Sequence, residues 1–179
     1  MQWIISEELN SVIDLSLNIL FVCYENICRS PMAEGVFRRH AIAEGLGHRV
    51  MVDSAGTCGY QRGSFPDERA VAAAWGFGID IAQIRARCVD DLDLDRYDWI
   101  FAMDHENYED IGRITGFAGK PRLRLAMSFV PGRDHEEIAD PYYGTEKDFM
   151  RVMDDLFLAS AHILSSLAEH HRFPEVGDA

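Results

Sequence analysis

Apolar residues follow two rhythms along the chain. Compact runs such as "LNILFVC" (17–23) and "YDWIFAMD" (97–104) read as buried strands. "HRVMVDSAG" (48–56) predicts a strand entering a turn, and "RLRLAMSF" (122–129) a fourth strand. Helical patterns lie between them. "SPMAEGVFRRHAIAEG" (30–45) opens on Ser30, with Pro31 at the first helical position, and closes on Gly45. "DERAVAAAWGFG" (67–78) and "HENYEDIGRITG" (105–116) predict two further helices, the first stopped by glycine. In 145–171, Phe149, Val152, Met153, Leu156 and Phe157 recur at helical spacing and predict a long closing helix. Strands alternating with helices predict an α/β fold: a single-domain three-layer sandwich with a four-stranded parallel sheet and helices on both faces. Ligands of such sheets bind beyond the carboxyl ends of the strands, and Cys23 stands at one of them.

Boundaries follow the same pattern. Residues 1–16 form an extension in which Ser6 suits a helix cap and Leu9, Val12 and Ile13 have helical spacing. The main domain spans 17–171, and 172–179 is a tail expected to fray. A length of 179 residues, 47% of them hydrophobic, supports one sizeable core. No apolar run approaches the ~20 residues a membrane span needs, and the start lacks the basic and apolar regions of a secretory signal. Of four cysteines, Cys23 and Cys28 lie five apart on one loop, which suits reactive thiols in the reducing cytoplasm better than disulfides.

The formal net charge of −13 argues against nucleic acid and anionic membrane surfaces as partners. It leaves room for an anion held in a locally positive pocket. There is no G-x-G-x-x-G after the first strand and no G-x-x-x-x-G-K-[ST], so dinucleotide and NTP readings lose support. The seven histidines show no metal-binding spacing.

The chemistry concentrates in "FVCYENICRSPMAEG" (21–35). A loop running from a strand into a helix aims backbone N–H groups, and the positive end of the helix dipole, at one spot. That concavity suits a tetrahedral oxyanion. Arg29 would add a bidentate fork, and a cysteine in such a field is favoured as its thiolate. Cys23 is thus a candidate nucleophile at the bottom of an oxyanion cradle; the alternative is a small buried hydrophobe at a strand end.

"VCYENICRSPMAEGVFR" closely resembles the phosphate-binding loop and first helix of low-molecular-weight protein tyrosine phosphatases. "VDSAGT" (52–57), "AMDHEN" (102–107) and "DPYYG" (140–144) match in the same order. The resemblance implies a metal- and cofactor-independent, two-step hydrolysis of phosphotyrosine in proteins. Cys23 would attack phosphorus, Arg29 and the loop amides would stabilise the equatorial oxygens, and Asp140 would be the general acid, its loop fixed by Pro141. The loop residues Tyr24, Glu25, Asn26, Ile27, Cys28 and Ser30 would bind substrate. Ser30 matches the hydroxyl that bonds the thiolate, while Asn26 and Ser54 match a polar pair that holds the loop. Tyr142 and Tyr143 are either pocket walls or half-buried loop aromatics, and Tyr60 either stacks on the substrate ring or packs on the surface. Cys28 is either a small core-facing residue or the resolving thiol for an oxidised Cys23. Cys58 and Cys88 read as structural. Partners would be phosphotyrosine proteins and, beyond them, a cognate tyrosine kinase.

Two positions depart from the family pattern. Glu25 stands where glycine is usual, and its carboxylate is expected to turn to the rim and disfavour acidic substrates. Phe77 stands where many relatives carry a histidine, which predicts a shorter polar network behind the loop. Three rival functions share the loop. Arsenate reduction needs further cysteines after the third strand, and "FAMDHENYED" has none. Protein-arginine phosphatases often have threonine at the position of Ile27. A non-catalytic phosphate-binding module would need neither Cys23 nor Asp140.

Overall fold

A computed structural model describes residues 16–117 and 121–171. Strands β1 (Leu17–Cys23), β2 (Val50–Gly56), β3 (Trp99–Ala102) and β4 (Arg122–Leu125) form one parallel sheet in the order β2-β1-β3-β4. The helices are α1 (Arg29–Ala43), α2 (Glu68–Trp75), α3 (His105–Thr115) and α4 (Glu146–His171). Helices α1, α2 and α4 cover one face of the sheet and α3 the other. This is the predicted three-layer α/β sandwich.

The unbroken apolar run of β1 now has its reason. Ile19, Phe21 and Cys23 join the core under α1, α2 and α4, while Leu20 and Val22 join the second core with Ile111 of α3. Central strands buried on both faces lose the polar alternation of a half-exposed strand. Aromatic rings thicken the larger core. Phe21 lies 5.4 Å from both Phe37 and Phe101, and Phe101 meets Trp99 and Phe129.

Four elements differ from the sequence expectation. Helix α1 begins at Arg29, so Pro31 is its third residue; its missing N–H costs nothing there, because the first turn of a helix has no internal acceptors. Ser30 does not cap that helix, since its hydroxyl is engaged elsewhere. Helix α2 stops at Trp75, and Gly78, at φ +73°, turns the chain back so that Ile79 donates to the Ala74 carbonyl. Strand β3 is shorter than 97–104 because Asp104 already caps α3, accepting from Asn107 at 2.7 Å. Strand β4 ends at Leu125, where the Ser128 hydroxyl donates to the Leu125 carbonyl and Ala126–Phe129 form a 3-10 turn.

The extension, apart from Ser16, and the 172–179 tail lie outside the described residues. Among the described residues no helix is long and apolar enough to cross a membrane, and no group of three or more His, Cys, Asp or Glu could hold a metal.

Parallel strands put every carboxyl end on one edge of the sheet. Cys23 pairs with Gly56, and Val22 with Ala102, so the ends of β1, β2 and β3 meet there. Phe101→Ala would empty the aromatic cluster beneath that edge. It is expected to lower stability by about 3–5 kcal/mol, read from the urea unfolding midpoint.

Candidate active site

Residues 24–28 carry the chain from β1 into α1, and they pass directly over Gly56. A Cβ on Gly56 would come within 2.6 Å of the Tyr24 carbonyl oxygen and 3.0 Å of the Asn26 nitrogen. Only glycine lets the loop lie this close. The chain beyond β2 then grips it: Thr57 N–H donates to the Cys23 carbonyl at 2.9 Å and Cys58 N–H to that of Tyr24 at 2.8 Å.

Asn26 sits at φ +59°, in the left-handed region that asparagine tolerates better than most side chains. Its amide ties three segments together. Nδ2 donates to Ser30 Oγ at 2.9 Å and to Ser54 Oγ at 3.0 Å, while Oδ1 accepts from the Arg87 N–H at 3.0 Å. The Ser54 hydroxyl donates to one Glu34 oxygen at 2.6 Å, and the other Glu34 oxygen accepts from Arg38 at 2.6 Å. The Asn26–Ser54 pair is thus where the sequence expects it. Glu34 and Arg38 are additions that the sequence reading missed, although a Glu and an Arg four apart on one helix were a usable signal. Phe77 takes no part in this support. It packs against Phe157 at 4.9 Å and Arg39 donates to its carbonyl. The polar network behind the loop therefore runs through Glu34 and Arg38 and does not need residue 77.

Cys23 Sγ lies 3.0 Å from Ser30 Oγ. Because Asn26 already donates to that oxygen, the Ser30 proton has two acceptors, the Cys23 sulfur and the Ala55 carbonyl at 3.2 Å. A negative sulfur would draw it.

Arg29 is only 2% exposed. Nη1 donates to Asp104 Oδ2 at 2.6 Å and to the Ile138 carbonyl at 3.0 Å, and Nη2 donates to Asp140 Oδ2 at 3.0 Å. Burial works against the charged guanidinium, but Cys23, Asp140 and Asp104 outweigh it and hold its pKa above the ordinary arginine value. Asp104 is a further residue the sequence reading left without a role. It lies in a matched stretch directly before a predicted helix, and it does two jobs, capping α3 through Oδ1 and orienting Arg29 through Oδ2.

Asp140 is half exposed, its Oδ1 accepting from the Tyr142 N–H at 3.1 Å. It faces Cys23 and Arg29 across a cleft of about 150 Å³, whose walls are Tyr24, Glu25, Ile27, Cys28, Tyr142 and Tyr143. Asn26, Ser30 and Ser54 are buried behind it. Tyr143 is 98% exposed and stands at right angles to Tyr142, so these rings form a rim and not a core. Tyr60 is 86% exposed and does not line the cleft. Glu25 is half-buried in the wall and has no cationic partner among the described residues. Burial, with Cys23, Asp67 and Asp140 nearby, pushes the Cys28 thiol up, so it rests protonated. Cys58 lies beside Tyr24, and Cys88 is buried under Thr57.

A sulfur, a buried guanidinium and a carboxyl thus surround one small cleft at the carboxyl edge of a parallel α/β sheet. Residues 18–172 match the family described as "Low molecular weight phosphotyrosine protein phosphatase", and the chain belongs to that family. A "Low molecular weight protein-tyrosine-phosphatase" of Bacillus subtilis is 39% identical over 127 residues, covering 71% of this chain and 81% of its own. A solved protein tyrosine phosphatase from Entamoeba histolytica, with Hepes in its active site, superposes with a TM-score of 0.80 at 35% identity, covering 87% of this chain and 99% of that one. A drosophila arginine phosphatase superposes with a TM-score of 0.75 at 26% identity, over 83% of this chain and 96% of that one.

Gly56→Ala would press a methyl group into the loop backbone. It is expected to destabilise the protein by about 1–3 kcal/mol. Inorganic phosphate is expected to raise the unfolding temperature of the unaltered protein in a thermal melt, and Gly56→Ala to remove that rise.

Proposed function

We propose that this chain hydrolyses phosphotyrosine in proteins through a phosphocysteine intermediate, with Cys23 as nucleophile, Arg29 as the oxyanion clamp and Asp140 as general acid and then base. One observation carries the reading: Asp140 and Cys23 share a single cleft, and both act on the same buried Arg29.

In the first step the Cys23 thiolate attacks phosphorus and the bond to the tyrosyl oxygen breaks. Asp140, in its acid form, gives that oxygen the proton without which it leaves poorly. Arg29 and the loop N–H groups take up the charge on the three equatorial oxygens. Nη2 of Arg29 now holds Asp140, so an arriving phosphate oxygen takes that place and releases the carboxyl toward the leaving group. In the second step Asp140 removes a proton from water, the water oxygen attacks phosphorus, and the phosphorus–sulfur bond breaks. The Ser30 hydroxyl, 3.0 Å from Sγ, stabilises the departing thiolate.

The buried Ile27 in the cleft wall favours an aryl ring over the branched, charged guanidine of phosphoarginine. Helix α3, directly after β3, offers no cysteine for arsenate reduction. Binding alone would require neither the Cys23–Ser30 contact nor the Asp140 loop. A cytoplasmic location, and a tyrosine kinase that supplies the substrates, complete the reading.

Cys23→Ser is expected to abolish hydrolysis of a small aryl phosphate, and Asp140→Ala to lose about 10²–10⁴-fold, less with better leaving groups. Phosphotyrosine peptides should be cleaved in preference to phosphoarginine and phosphoserine peptides, and a preference for phosphoarginine would overturn the substrate assignment. Glu25→Gly should raise kcat/KM on phosphotyrosine peptides with acidic neighbours. Mild peroxide should yield a Cys23–Cys28 disulfide by mass spectrometry, as Cys28 displaces water from the sulfenic acid of Cys23; irreversible overoxidation without that link would remove Cys28 from the redox role.

A further inference from the structure

The loop that carries Asp140 is pinned from a helix that contributes nothing to the cleft wall. Arg69, in the first turn of α2, sends Nη1 to the Gly144 carbonyl at 3.1 Å and Nη2 to the Tyr142 carbonyl at 3.0 Å. Its guanidinium also lies 4.6 Å from the centre of the Phe149 ring and 6.0 Å from that of Tyr142. The other edge of the same fork is held by Asp67, Nε to Oδ1 at 2.9 Å and Nη2 to Oδ2 at 2.8 Å. Asp67 is anchored in turn to the phosphate loop, its N–H donating to the Ile27 carbonyl at 2.8 Å. One continuous chain of contacts therefore runs from the phosphate loop through Asp67 and Arg69 to Tyr142 and Gly144, in the turn that follows Asp140.

That turn is anchored on both sides. Upstream, Ile138 N–H donates to the Met103 carbonyl and Ile138 O accepts from Arg29. Downstream, Thr145 and Asp148 close the start of α4, and Gly144 N–H donates to the Pro141 carbonyl. Between these anchors the Pro141–Gly144 turn is held toward the phosphate loop by Arg69, through the Tyr142 and Gly144 carbonyls, while Arg29 holds the Asp140 carboxylate itself. A carboxyl that must reach a leaving oxygen within hydrogen-bond distance is sensitive to an error in that placement.

We propose that Arg69, held by Asp67, is a positioning residue that sets the distance of Asp140 from the leaving group; this rests on the reading of Asp140 as general acid. Lysine does not substitute, because one ammonium cannot grip a carboxylate edge-on and serve two carbonyls in one plane.

The test measures kcat and KM for phosphotyrosine, a poor leaving group, and 2,4-dinitrophenyl phosphate, a good one, in wild type, Arg69→Ala, Arg69→Lys, Asp67→Asn, Asp140→Ala and the Arg69→Ala/Asp140→Ala double variant. Arg69→Ala should lose about 10–100-fold in kcat on phosphotyrosine and under about threefold on the dinitrophenyl ester, with KM little changed. Arg69→Lys should not restore the loss, and Asp67→Asn should show the same substrate dependence in weaker form, which keeps the result readable if Arg69→Ala folds poorly. In the Asp140→Ala background, removing Arg69 should cost nothing more on phosphotyrosine. Equal losses on both esters, or losses that add in the double variant, would overturn the positioning role. If Asp140→Ala itself loses equally on both esters, the assignment of the acid fails instead, and this proposal falls with it.

Discussion

A guanidinium kept charged inside the protein governs the rest of this site. Arg29 is nearly inaccessible to water, and a lone buried charge costs several kcal/mol unless opposite charges and acceptors converge on it. Asp104, Asp140 and the Ile138 carbonyl meet that need, and they come from the end of β3 and from the segment before α4. The arginine thereby gathers pieces far apart in the chain into one cleft. Asp140 is the more exposed of the two carboxylates and holds Nη2 by a single contact.

The sheet makes this convergence cheap. With β1 in the middle, flanked by β2 and β3, the parallel ladder delivers Cys23, Gly56 and the chain leading to Asp104 to the same edge. Gly56 then admits the loop, and the Asn26 amide locks it against β2 and α1. The floor of the site is buried and cross-tied by hydrogen bonds. Its rim, carried by Tyr24, Tyr142 and Tyr143, is exposed and belongs to loops. A fixed floor suits oxyanion stabilisation, which needs donors that do not reorganise, whereas an open rim suits a macromolecular substrate.

Much of the arrangement was legible in the residues. The continuous apolar run of β1, the capped pattern of α1 and the five-residue spacing from Cys23 to Arg29 are local signals, and the resemblance extended them to Asn26, Ser54 and Asp140. Tyr60 was not so legible: an aromatic in the right stretch says nothing about which way the loop after β2 presents it, and it points to solvent. Phe77 was read as shortening the polar support of the loop, but where its ring goes was not legible: the turn at Gly78 carries it to α4.

What the sequence by itself determined was the order of strands and helices and the chemistry of one loop, because both depend on neighbours within a few residues. Which carboxylate orients Arg29, which acid completes the Asn26–Ser54 network, and what pins the Asp140 turn were decided only by the tertiary structure. Asp104, Glu34 and Arg69 are ordinary helix-end or helix-surface residues in the linear chain. Their roles come from contacts across 20 to 75 positions, set by how the parallel sheet stacks its ends.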